Sequence, residues 1–84
     1  MNVSELIERT KRQMQFITGL PAETVSRLDP EESGWNVGID MLEHSAIPRT
    51  RDLLASFDVT LDEAGNIRRW RRTGRFVRCE QGEN

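Results

Sequence analysis

The chain has 84 residues, a formal net charge of −2, a single cysteine and no run of apolar residues near the ~20 that a membrane-spanning helix needs. That length holds one domain (1–84) with a small core, and one cysteine excludes an internal disulfide. A start as polar as MNVSELIERTKRQ does not read as a signal peptide, so a cytoplasmic protein is expected.

Residues 3–18 read as an amphipathic helix. Val3, Ile7, Met14 and Ile17 recur at helical spacing, with Leu6 and Phe16 widening the stripe. Asn2 or Ser4 caps the start, Gly19 supplies a left-handed stop, and Pro21 cannot continue the helix. Residues 20–34 admit two readings: Val25 to Leu28 as a short strand, or ETVSRL as one helical turn. A short strand leading into a hairpin through DPEESG is favoured.

WNVGIDM alternates as a strand, with Trp35, Val37, Ile39 and Met41 on one side. SAIPRTRD breaks that pattern, and Pro48 holds a corner that ends in a helical turn. A second alternating run puts Ala55, Phe57, Val59 and Leu61 inward and Ser56, Asp58 and Thr60 outward. DEAG then turns the chain, with Gly65 at the positive-φ position and Asp62 paired with Asn66.

The last run, RRWRRTGRFVR at 68–78, carries six arginines. Residues 64–84 hold six Arg against two Glu, whereas residues 1–63 hold six Lys/Arg against twelve Asp/Glu, a split that fits either a basic binding arm or two parts that attract each other in the fold. Strict alternation from the Asp62–Asn66 turn would bury Arg69 and Arg71 beside Val59 and Phe57, which is unfavourable for unpaired charge. One extra residue near Arg68–Arg69, a β-bulge, repairs this. Ile67, Trp70 and Phe76 then share the inner face. Arg69, Arg71 and Arg75 point outward beside Asp58 and Asp40, and Arg72 stays inside near the periphery, its stem snorkelling. The expected fold is therefore α+β: an N-terminal helix on one face of a three- or four-stranded antiparallel sheet spanning roughly 24–79, with a frayed tail at 80–84.

Chemistry-bearing patterns are sparse. His44 is the single histidine and no motif brings a nucleophile to it, so it reads as a surface or corner residue. Cys79 reads as a bystander, and together the two cannot form a zinc site. No glycine pattern cradles phosphate. No catalytic, cofactor-binding or metal residues are assigned, and an enzyme is the weakest class. An arginine ribbon with interleaved aromatics is a feature of nucleic-acid binders, which makes a small regulatory nucleic-acid-binding domain the alternative reading. A pI of about 5.4 weighs against it. Arginine and tryptophan are equally the residues that protein interfaces favour, and Pro48, Arg49, Arg51, Asp52, Arg69, Arg71 and Arg75 are the candidate partner-binding set.

Four blocks in unbroken order carry a family likeness: GWNVGIDMLE at 34–43, IPRTRDLLA at 47–55, FDVTLDEAG at 57–65 and WRRTGRFVR at 70–78. Together they resemble the gas vesicle protein O family. Phe57–Asp58 stands where that family often shows Tyr–Glu, Trp70 and Phe76 stand where tyrosine is common, and Ala46 replaces an arginine that frequently precedes Ile–Pro. Many members carry a long charged extension before the helix, and no contact through such a segment is inferred here. The resemblance implies a cytoplasmic, gas-vesicle-associated accessory protein that is not an enzyme and uses no cofactor. Its implied partners are other gas vesicle proteins: the ATPase-like protein N, the minor proteins of the F and L type, and the shell protein as a further candidate.

Overall fold

A computed structural model describes residues 2–78; Cys79 and the expected tail at 80–84 lie outside the described residues. Helix α1 runs Val3–Thr18. The Asn2 side chain accepts from the Glu5 N–H at 2.8 Å, and the Glu5 carboxylate accepts from the Asn2 N–H at 3.1 Å. This reciprocal cap satisfies two donors that a helix start leaves open. At the other end Gly19 adopts φ 76° and its N–H donates to the Gln15 carbonyl, the left-handed stop expected from its position.

The buried row of α1 is Leu6, Thr10 and Met14, with Ile7 half-buried. Thr10 is tolerated there because its hydroxyl donates to the Leu6 carbonyl at 2.8 Å. The wider expected stripe is corrected: Val3, Ile17 and Phe16 are exposed, Phe16 to 92%. At about 100° per residue, Val3 and Ile17 fall within the arc of the buried row, so their exposure comes from sitting at the helix ends; Phe16 lies well to one side. Polar contacts fix how α1 lies. The Gln13 amide donates to the Gly65 carbonyl and accepts from the Ile67 N–H, Arg9 donates to Asn66, and Gln15 accepts from the Ala22 N–H.

Four strands follow as a meander in the order β1-β2-β3-β4: β1 (Ala22–Glu31), β2 (Gly34–His44), β3 (Leu53–Leu61) and β4 (Ile67–Val77). β1 settles the ambiguity at 24–29 in favour of a strand, and a longer one than expected. Glu31 pairs with Gly34, so Asp29 and Pro30 belong to the strand and the turn shrinks to Glu32–Ser33. Proline is acceptable there because β1 is an edge. The 46–52 corner ends in a single 3-10 turn, Arg49–Arg51, after a cis Ile47–Pro48 bond.

β2 and β3 form the centre of the core. Val37, Ile39 and Met41 lie opposite Val59, Phe57 and Ala55 in unshifted register, and all six are buried. Leu6 and Met14 pack on them from α1, with Leu20, Val25, Leu28, Trp35 and Ile67 closing the margins. The helix covers one face of the sheet only.

β4 contains the expected bulge and a second one. Thr60 pairs with Arg69 and Leu61 with Ile67, leaving Arg68 as the extra residue; Trp70 is then opposite Val59, and Arg71 opposite Asp58. Between Phe57–Arg72 and Ser56–Gly74 the register shifts again, with Thr73 as the extra residue. That shift corrects two expectations. Arg75 sits opposite Ala55 on the helix-side face, and Phe76 sits opposite Leu54 on the other face, outside the core cluster. The Thr73 hydroxyl, donating to the Ser56 carbonyl at 3.2 Å, accompanies the bulge, and the acceptor that receives Arg75 on the inner side is Glu43.

Candidate partner-binding surface

The arginines sort into three clusters. On the helix side, Glu43 is itself the extra residue of a bulge between the Leu42–Leu54 and His44–Leu53 pairs. Arg75 forks onto both of its oxygens, with Nε at 3.1 Å from Oε1, and the Arg72 Nη1 lies 3.5 Å from the same oxygen. Arg72 also stacks 5.6 Å above the Phe57 ring, which meets Trp70 edge-on at 5.8 Å. Thr18, Leu20, Glu43, Phe57, Trp70 and Arg72 line a recess of about 330 Å³ beside the end of α1.

At the corner, Asp52 is 3% exposed. Its carboxylate accepts from the Ala46 N–H at 2.7 Å and from Arg78 Nε at 3.0 Å, and Arg78 reaches on to Glu23 at 2.9 Å. Arg78 thus ties the corner to β1. The surface role expected of Asp52 meets a buried group with its acceptor oxygens already engaged.

The uncovered face of the sheet carries the third cluster. One Arg27 Nη2 donates to Asn36 (2.6 Å) and to Asp58 (2.7 Å), while Nε, 3.3 Å from Asp29, is not aligned for a hydrogen bond. Gly38 makes room for this side chain: a Cβ there would lie 3.4 Å from the Arg27 Cβ and 3.0 Å from the Ser26 hydroxyl. Arg71 approaches the other oxygen of Asp58 at 3.9 Å and is largely exposed. Asn36, Asp58, Thr60, Arg69, Trp70 and Arg71 border a shallow depression of about 340 Å³.

The fold divides the seven residues expected to form one surface. Arg69 and Arg71 share the uncovered face. Pro48, Arg49 and Arg51 are exposed, but at the other end of the sheet, since the seven residue steps of β3 from Leu53 to Thr60 span about 23 Å. Arg75 and Asp52 are engaged elsewhere. Sequence pattern alone does not pair Arg27 with Asp58, Arg75 with Glu43 or Arg78 with Glu23; the one local signal is Gly38, since glycine inside a strand marks a close approach. His44 is exposed at the end of β2. Among the described residues no three His, Cys, Asp or Glu side chains gather as metal ligands, and no helix is long and apolar enough to cross a membrane.

Three carboxyls titrate below their ordinary values: Glu43 through its hydrogen bond from Arg75 and the fields of Arg72 and Arg75, Asp52 through the Ala46 N–H and then Arg78, and Asp62 through the N–H groups of Asn66 and Ala64. Their partners Arg75 and Arg78 are held more firmly charged. Unfolded, these carboxyls return to ordinary values of 4.5 for Glu43 and 3.8 for the aspartates, so acid favours the unfolded chain. Their contribution is complete above those values and is lost as the pH falls through the lower folded ones. The urea midpoint should hold level from neutrality to about pH 5 and drop below about pH 4. Asp52→Asn should lower the midpoint at neutral pH and flatten the acid limb; an acid limb of unchanged slope would show that Asp52 titrates normally.

Fold and surface define a small helix-backed antiparallel meander that presents arginines along one sheet edge. Residues 1–82 match the family described as gas vesicle synthesis protein GvpO, and the chain belongs to that family. It is 39% identical over 66 residues to a gas vesicle protein O of a Streptomyces species, an alignment covering 79% of this chain and 52% of the relative. It is 25% identical over 75 residues to gas vesicle protein O1 of Halobacterium salinarum, covering 89% of this chain and 63% of that one. The chain therefore spans about half to two thirds of the length of these two relatives. No solved structure matches.

Proposed function

We propose that this chain is a non-enzymatic accessory protein in gas vesicle formation that acts in the cytoplasm by binding other gas vesicle proteins during assembly. The family match over residues 1–82 carries the reading. The ATPase-like protein N, the F- and L-type minor proteins and the shell protein are the candidate partners. The surface offered to them is the uncovered sheet face at Arg69 and Arg71, with Pro48, Arg49 and Arg51 as a second, separate patch.

Four of the six C-terminal arginines, Arg71, Arg72, Arg75 and Arg78, have carboxylates within 4 Å, which leaves little net field for a polyanion. Nothing in the geometry favours the nucleic-acid reading over protein binding.

The test is complementation of a deletion strain combined with co-purification of the other vesicle proteins. The wild-type chain should restore vesicles. Arg69→Glu with Arg71→Glu should reduce captured partner about tenfold, as reversing interfacial charges does, while the circular-dichroism spectrum stays unchanged. Arg49→Glu with Arg51→Glu tests the corner separately. Normal vesicles in the deletion strain would overturn the function, and undiminished capture by both double variants would overturn the surface.

A further inference from the structure

The two edges of the sheet are not equivalent. β1 is closed to further pairing: register shifts set aside Glu23 and Ser26, Pro30 lacks an N–H, and the Ala22 N–H is already bonded to Gln15. β4 is open. Residues 68–73 are all exposed, and no described element lies along their free side. Between the bulges at Arg68 and Thr73, residues 69–72 keep a regular antiparallel register with β3. Alternate N–H and C=O groups of this stretch must therefore point away from β3.

The side chains flanking this free edge differ by face. On the helix side stand Trp70, 43% exposed beside the recess lined by Phe57 and Leu20, and Arg72. The Arg72 guanidinium lies over the Phe57 ring and is paired with Glu43, which leaves Trp70 as the unengaged side chain on that face. On the uncovered side stand Arg69, opposite Thr60, and Arg71, opposite Asp58. Among the described residues Arg69 makes no ion pair, and Arg71 makes only the 3.9 Å contact with Asp58, a carboxylate that Arg27 already engages.

We infer that the β4 edge accepts an additional strand from an acidic partner, an extended segment whose residues alternate between acidic, facing Arg69 and Arg71, and apolar, facing Trp70. The backbone supplies the affinity common to strand addition, and the two unlike faces supply the selection. Charge complementarity chooses this occupant over a second copy of the chain. Pairing β4 with β4 would bring arginines against arginines, and like charges across a strand pair are destabilising. A nucleic acid would use the arginines without the alternating register. The inference deepens the proposed assembly role, on which it rests for the partner's identity as a gas vesicle protein.

The probe is a blocked peptide of alternating glutamate and valine, about eight residues long as strands usually are. Its controls are the same composition in two blocks and an alternating lysine–valine peptide. Against the full chain, fluorescence anisotropy should show the alternating acidic peptide binding about tenfold tighter than either control, the preference expected of matched charge and register. Hydrogen exchange should slow at amides within 67–72 and be unchanged in β1. Arg69→Glu with Arg71→Glu should remove binding of the acidic peptide and admit the lysine peptide, with exchange in β2 and β3 showing the fold intact. Equal binding of block and alternating peptides, protection outside β4, or a concentration-dependent dimer protected at β4 would overturn the inference. Peptide binding with normal vesicles in a deletion strain would keep the edge site and retire the assembly role. Absent binding with lost vesicles would retire the edge site alone.

Discussion

Phe57→Ala should leave the domain largely unfolded in conditions where the wild-type chain is folded. Phe57 is 3% exposed in the middle of β3, opposite Ile39 on one side and Arg72 on the other. It carries the edge-on contact with Trp70 and the stacked Arg72 guanidinium, so truncation removes the platform for both. Phenylalanine-to-alanine changes in cores remove about 3–5 kcal/mol, a large part of the ~5–15 kcal/mol by which natural domains are stable. With a urea slope of roughly 1 kcal/mol/M for so small a chain, the midpoint should fall by about 3 M or more. Phe57→Leu, which keeps most of the volume, should lose only about 1.5 kcal/mol. A midpoint shift below about 1 M in the alanine variant would mean that the centre of the sheet is packed differently.

Gly34→Ala should be nearly as damaging, for a reason of backbone geometry. Gly34 opens β2 at φ 153°, and a Cβ added there would lie 1.9 Å from the Leu61 carbonyl oxygen and 2.9 Å from its carbon. No rotamer relieves a clash between a Cβ and a backbone carbonyl, so β2 and the end of β3 would have to separate. Strained backbone of this kind costs about 1–3 kcal/mol before any displacement is counted, and a total loss of about 3 kcal/mol or more is expected. Gly74→Ala is the control. Its Cβ would meet nothing within 4 Å and its φ is not positive, so its stability should stay within about 1 kcal/mol of wild type. Equal urea midpoints for the two alanine variants would disprove the close approach at Gly34.

Much of the scaffold was legible because the deciding interactions are local. The alternation of Trp35, Val37, Ile39 and Met41, and that of Ala55, Phe57, Val59 and Leu61, set which side of each strand faces the core. Asn2, Gly19 and Gly65 marked the ends of α1 and the β3–β4 turn through cap and turn chemistry within a few residues. Even the bulge at Arg68 followed from the cost of burying Arg69 and Arg71. The candidate surface was far less legible. Seven residues expected to act together lie at opposite ends of the sheet, on opposite faces, or buried like Asp52.

The second bulge shows why. From the sequence, Arg75 and Phe76 could exchange faces without violating any local pattern, since one is long enough to snorkel and the other tolerates partial exposure. What accompanies Arg75 on the helix side is Glu43, thirty-two positions away and displaced by a bulge of its own. Likewise Arg27 reaches Asp58 only because β1 became a strand and Gly38 left room between them. Periodicity and turn chemistry determined the helix, the two central strands and their inward residues, because burial acts on each strand separately. Which arginines stand free and which are held by the chain's own carboxylates was decided only by tertiary pairing, because a salt bridge depends on where two distant residues meet.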